Sequence, residues 1–169
     1  VGLATIAGHD LLDGIDPARL GAFAAWWPIL HGKGPTPMGK VVYPLVPWIG
    51  VMAVGYVCGG VFDLDPRRRR ALLLGLGGAL IALFVLLRLA NGYGDPRPRT
   101  PQPAATLALL SFLDATKYPP SLAFLLMTLG PALIALALFE RARRPLADRL
   151  ATFGRVPLFF YVSHLVLAR

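Results

Sequence analysis

An internal disulfide is closed to this chain, which has one cysteine, Cys58, set inside an apolar run. Histidine is nearly as scarce, and the three present are dispersed without the spacing of a metal site. No alternating strand pattern appears, and no glycine-rich phosphate loop follows a strand. Acidic residues number 9 against 17 lysines and arginines, leaving a net charge of +8. That excess does not mark a nucleic-acid partner, because the arginines sit in short connections between apolar runs and no separate basic domain exists. Zinc modules, disulfide-stapled domains and phosphate-loop enzymes are thereby excluded.

What the chain has in quantity is apolar length. Hydrophobic residues make up 56% of its 169 positions, the composition of a membrane protein. Leu122 to Phe139 holds no charge, and ten of its 18 residues are Leu, Ile or Phe. As a helix this run measures ~27 Å, close to the ~30 Å hydrocarbon core of a bilayer. Tyr118 suits an interface, Pro119-Pro120 can open the helix, and Glu140 with Arg141, Arg143 and Arg144 closes it.

The expected architecture is all-α: one domain forming a polytopic transmembrane helix bundle with short interfacial helices. About five spans are expected, over 1–12, 41–62, 71–90, 119–139 and 152–169. The chain opens at Val1 within an apolar run and stops at Arg169 as another is barely complete, so it reads as a fragment cut at both ends. Asp16-Pro17 begins a short helix carrying Trp26-Trp27 to headgroup level, and 31–40 is a loop rich in glycine and proline. Thr106 to Ala115 forms a second interfacial helix. Gly55-xxx-Gly59 allows close backbone approach and a homodimer, and Gly75, Gly78, Ala79 and Ala82 give the 71–90 span a small-residue face.

Orientation follows from charge. Connections 63–70 and 140–150 hold 4 + 4 Lys/Arg in 19 residues, whereas 13–40 and 91–118 hold 3 + 3 in 56. The denser pair belongs to the cytoplasm, and the longer loops face outward.

Ionisable residues at membrane depth are functional candidates. His9, Asp10 and Asp13 close the first run, and the four-residue spacing of His9 and Asp13 allows one helical face. A carboxylate that orients an imidazole helps it accept a proton; the plain alternative is a polar helix end in water. His164 with Tyr161 is either a site pair or a hydrogen-bonded helix contact. Lys117 and Asn91, in the outward loops, are candidate substrate contacts, and Lys117 equally suits a solvated interface. Arg67, Arg68 and Arg144 are a topology signal and candidate phosphate ligands, while Arg88 is expected to snorkel.

The motifs His9-Asp10-Leu11-Leu12-Asp13-Gly14, Tyr43-Pro44-Leu45-Val46-Pro47-Trp48, Gly92-Tyr93-Gly94-Asp95-Pro96, Lys117-Tyr118-Pro119-Pro120-Ser121 and Gly154-Arg155-Val156-Pro157-Leu158 occur in this order. Together they resemble bacterial multi-pass proteins grouped, as a domain of unknown function, with heparan-α-glucosaminide N-acetyltransferase. The resemblance implies a transmembrane acyltransferase that passes an acetyl group from cytoplasmic acetyl-CoA to a saccharide or similar acceptor on the far side. It also implies that the family's catalytic histidine lies in a more N-terminal part, and Asp10 stands where the pattern has Asn. On that reading His9, Asp10, Asp13 and His164 are catalytic, Tyr161, Lys117 and Asn91 meet the acceptor, and Arg67, Arg68 and Arg144 meet the donor's phosphates. The rivals are a small-solute transporter, with helices broken at Pro47 and Gly130-Pro131, and a structural membrane subunit.

Overall fold

A computed structural model describes every residue except 33, 42, 142, 143, 168 and 169, with backbone alone at 144, 146, 147, 149, 150 and 153. The chain is mostly helical, and among the described residues three helices are long and apolar enough to cross a membrane: Leu45–Asp63, Pro66–Ala90 and Leu122–Phe139. The elements run α1 (Gly2–Gly8), α2 (Trp27–Leu30), β1 (Gly34–Thr36), β2 (Gly39–Val41), α3 (Leu45–Cys58), α4 (Pro66–Ala90), α5 (Ala105–Leu113), α6 (Leu122–Phe139), α7 (Arg144–Arg155) and α8 (Pro157–Leu167). Tight 3₁₀ turns follow α1 (His9–Gly14), precede α2 (Pro17–Phe23) and extend α3 (Gly59–Asp63).

Local chemistry explains most boundaries. Pro44 caps α3, so Pro47 falls in its first turn and no break forms there. α4 begins five residues before the expected 71, because Asp65 accepts from the amides of Arg67 and Arg68 at 3.0 and 3.2 Å and Pro66 takes the first helical position. The arginine run therefore forms the opening turns of the helix rather than a connection. Asn91, left-handed at φ 53°, ends α4. α6 covers the uncharged run Leu122–Phe139, starting three residues inside the expected 119–139 span, and continues through Pro131.

One difference concerns a short element. The 31–40 loop contains a small antiparallel hairpin, β1 with β2, pairing Gly34 with Val41 and Thr36 with Gly39. Its turn is tied by the Thr36 hydroxyl, which donates to the Gly39 carbonyl at 2.7 Å. At the other end of the chain, α8 is apolar over its 11 described residues, Pro157–Leu167.

The bundle is built on two close helix pairs. α4 crosses α6 where Gly77 meets Gly130, and α1 crosses α3 where Gly2 meets Gly50. A Cβ on Gly77 would lie 2.6 Å from Ile134 Cγ1 and 2.8 Å from the Gly130 carbonyl oxygen. The glycines singled out from spacing, Gly55, Gly59, Gly75 and Gly78, face open space. α4 instead buries Leu73, Gly77, Phe84 and Arg88, a single helical stripe. Toward the far end of that stripe the core gathers Phe84, Leu122, Ala123 and Leu126, with Phe112 of α5 edge-on to Phe84 at 5.6 Å.

Arg88 does not snorkel. It is 3% exposed, and its guanidinium donates to the carbonyls of Ser111, Phe112 and Asp114 at 2.5, 2.8 and 3.1 Å. Those are carbonyls that the end of α5 leaves without helical partners, so a buried cation caps one helix from another.

Candidate functional site

The first turn of α6 leaves amide groups that no helical carbonyl can reach. Three segments take them. Asp10 Oδ2 accepts from Leu122 N at 3.2 Å, the Gly94 carbonyl accepts from Ala123 N at 2.7 Å, and Ser121 Oγ accepts from Phe124 N at 3.1 Å. Gly94 is buried at φ +93°, a conformation that favours glycine, and a Cβ there would press on Leu87 at 3.1 Å. The Ser121 hydroxyl in turn donates to Asp95 Oδ2, and Asp95 also accepts from Thr116 N, Thr116 Oγ1 and Arg97 N at 2.7–2.9 Å. Two carboxylates thus converge on the positive end of one helix dipole.

Asp10 brings His9 with it. His9 is 2% exposed, and its Nδ1 lies 2.7 Å from Asp10 Oδ1, a charge contact without the alignment of a hydrogen bond. His31 is equally buried, and its Nε2 hydrogen-bonds Asp13 Oδ1 at 2.7 Å. The two rings stand 5.8 Å apart, with Trp27 edge-on to His31 at 6.1 Å. With its Nε2 proton donated to Asp13, the His31 ring carries a lone pair on Nδ1. His31 Nδ1 and both ring nitrogens of His9 are buried without a hydrogen-bond partner among the described residues. The Tyr93 hydroxyl closes this side by donating to the Ala7 carbonyl. Its pKa is raised, first by burial and then by the charges of Asp10 and Asp13.

Two hollows share Asp13 and Pro119 as a common wall; His31 lines the smaller of them and His9 lines neither. The smaller, about 300 Å³, includes His31, Trp27 and Leu12; the larger, about 590 Å³, includes Arg97, Asp114, Thr116, Lys117 and Tyr118. Lys117 Nζ sits 5.1 Å from the Tyr118 ring centre, and the hydroxyls of Tyr118 and Tyr43 are 3.1 Å apart. The hydrogen bond from Tyr43 lowers the pKa of Tyr118, with Lys117 adding to the effect. Tyr43 moves up, mainly through the same bond, and Lys117 rises because Tyr118 hydrogen-bonds it.

Of the residues expected from sequence, His9, Asp10, Asp13 and Lys117 gather at this end of the bundle. Asn91 does not reach the hollows, since its carboxamide clamps the Arg99 backbone at 2.6 and 3.1 Å. His164 and Tyr161 contact each other at 5.3 Å on exposed faces of α8, and the charge of Tyr161 reaches Tyr43. At the opposite, basic end, Arg67 lines a hollow of about 580 Å³, while Arg68 pairs with Asp65 at 3.3 Å. The Arg144 side chain and Arg143 lie outside the described residues. His31, Asp95 and Tyr93 enter the site from structure alone. The available signal for His31 was its place beside Trp26-Trp27 in a loop between apolar runs, in a chain with so few histidines. Compared with protein-family models, curated proteins and solved structures, the chain finds no match.

Proposed function

We propose that this chain belongs to an integral membrane acyltransferase whose acceptor is activated at the histidine end of the bundle. The observation that carries the reading is His31, hydrogen-bonded to Asp13 and with its Nδ1 buried and unpartnered, in the wall of a hollow that adjoins a more polar one across Asp13. An amine or hydroxyl entering the hollow that His31 lines would give its proton to His31 Nδ1 as it attacks the acyl carbon. The carbon–sulfur bond of the thioester then breaks, and the thiolate leaves. Asp13 stabilises the imidazolium so formed, and Lys117 and Arg97 offer cationic donors for the acceptor's oxygens.

On this reading the donor is acetyl-CoA, entering from the cytoplasm, with Arg67, Arg68 and Arg144 as candidate partners for its phosphates. The acceptor is an envelope saccharide or similar alcohol or amine on the outer face of a bacterial inner membrane. α4 has 25 residues, so the two ends stand ~37 Å apart and the acyl group must travel most of that length.

The test uses the full-length protein in sealed vesicles, with labelled acetyl-CoA on one side and candidate acceptors on the other. His31→Ala is expected to lower labelled product by ~10²–10⁴-fold, the usual loss of a general base, and His9→Ala by less. Full turnover in His31→Ala removes the assignment. Passage of unmodified solute, with no covalent label, would mark a transporter instead. Against that rival, α3 and α6 are continuous helices through Pro47 and Pro131.

A further inference from the structure

The basic end of the α4–α6 pair has a hollow whose chemistry changes in order along one helix face. Arg67, Arg70, Ala71 and Leu74 follow the i, i+3, i+4, i+7 spacing of a single stripe, and Arg141, just beyond α6, closes the opposite rim. Both helices are long enough to cross a membrane and both terminate here, so the arginines stand at headgroup depth. Ala71 and Leu74 lie up to a turn deeper toward the hydrocarbon.

The charges are unbalanced. The one carboxylate in the lining, Glu140, is engaged by Arg69, whose Nε donates to it at 2.5 Å while its terminal nitrogen donates to the Phe62 and Leu64 carbonyls. Arg70 Nε is buried without a partner, and Arg67 and Arg141 form no ion pair among the described residues. The amides of the α4 N-terminus are not what remains free, because Asp65 occupies those of Arg67 and Arg68. Three guanidinium groups above an apolar floor match an amphiphile with an anionic head.

We infer that this hollow is a binding site for the phosphate of an anionic phospholipid, with its glycerol and first acyl carbons against Ala71 and Leu74. The inference does not need acyl transfer, but it claims Arg67, which that reading offers to the donor's phosphates. A soluble polyphosphate such as acetyl-CoA shares the phosphate chemistry but has no use for the apolar floor.

The test is native mass spectrometry of the purified full-length protein from mixed micelles containing equal phosphatidylglycerol and phosphatidylcholine. Preferential retention of phosphatidylglycerol is expected, falling about fivefold for each of Arg70→Gln and Arg141→Gln, as one surface cation is worth. Leu74→Trp, which fills the floor and keeps every charge, is expected to reduce retention too, and helicity by circular dichroism checks that each variant is folded. Equal retention of the two lipids, or a preference untouched by the arginine changes in folded protein, overturns the inference. So does displacement of the lipid by micromolar acetyl-CoA, which would give the site to a soluble phosphate, or unaltered retention in Leu74→Trp.

Discussion

Replacing Gly77 by alanine tests the central crossing of the bundle. A methyl group there would stand 2.6 Å from Ile134 Cγ1 and 2.8 Å from the Gly130 carbonyl oxygen. Comfortable carbon contacts begin near ~3.5 Å, so the methyl overlaps by close to 1 Å. Ile134 can rotate away, but Gly130 is backbone, so α4 and α6 must part. Overpacking of this kind costs ~1–3 kcal/mol. Alanine also removes glycine's helix penalty, a gain of up to ~1 kcal/mol. Gly78, the next residue, meets nothing within 4 Å and supplies the control. Because both substitutions share the propensity gain, their difference isolates the steric term. Gly78→Ala should be neutral or stabilising, and Gly77→Ala should lie ~1–3 kcal/mol below it. Reversible unfolding of the purified protein in mixed micelles of increasing denaturing detergent, followed by circular dichroism, measures both. Gly77→Ala unfolding at or above the midpoint of Gly78→Ala would refute the crossing.

Two further changes probe polar contacts. Arg88 makes three hydrogen bonds through a planar fork, and lysine cannot reproduce that geometry. Arg88→Lys should cost about 2 kcal/mol and Arg88→Met about 4 in the same unfolding assay, with wild-type stability in Arg88→Lys counting against the cap. The tyrosine pair gives a pH signature: phenolate absorbance should resolve Tyr118 titrating below the usual phenol value and Tyr43 above it. Ionising Tyr118 favours the fold above the ordinary phenol pKa, and that contribution disappears as pH falls through its lowered value. Tyr43 has the opposite sign, its contribution disappearing as pH rises through its raised value. Tyr118→Phe should return Tyr43 toward ordinary behaviour; two tyrosines titrating together in the intact protein would break the pairing.

The spans were legible where composition and a cap coincide. α6 could be bounded closely because an 18-residue uncharged run lies between Ser121, a good N-cap, and Glu140. The start of α4 was misplaced because four arginines resemble a connection, although Asp65-Pro66 carries the cap and first-turn signal. Which face of α4 is buried could not be read: the run is apolar all round, so no period separates Gly77 from Gly75 or Gly78. Membrane length is a local property, whereas packing faces depend on partners elsewhere in the chain. The same limit hid the site's second imidazole. Asp13 and His31 are 18 residues apart, and only the turn and short helix between them, with Gly21 at φ 55°, fold the chain back. Arg88 was misjudged for the same reason, since its three acceptors lie 23–26 residues away.

The two imidazole–carboxylate pairs hold similar parts but different positions, and that difference separates stability from activity. The Asp10 side chain is 6% exposed and holds the first amide of α6 as well as facing His9. The Asp13 side chain is 29% exposed and lines both hollows beside His31. Asp10→Asn removes charge from a buried position at a helix N-terminus, where charge-assisted hydrogen bonds and the dipole favour an anion. A loss of ~1–3 kcal/mol in unfolding is expected. Asp13→Asn alters a partly solvated group that bonds only a side chain, so stability should change by less than ~1 kcal/mol. The asparagine amide can, however, turn its NH₂ toward His31 and move the ring proton to Nδ1, the nitrogen that the site needs bare. Acyl transfer in sealed vesicles should therefore fall far more for Asp13→Asn than its stability does, while Asp10→Asn should lose stability first. The reverse ordering would make His9, rather than His31, the proton acceptor, with Asp10 as its orienting group.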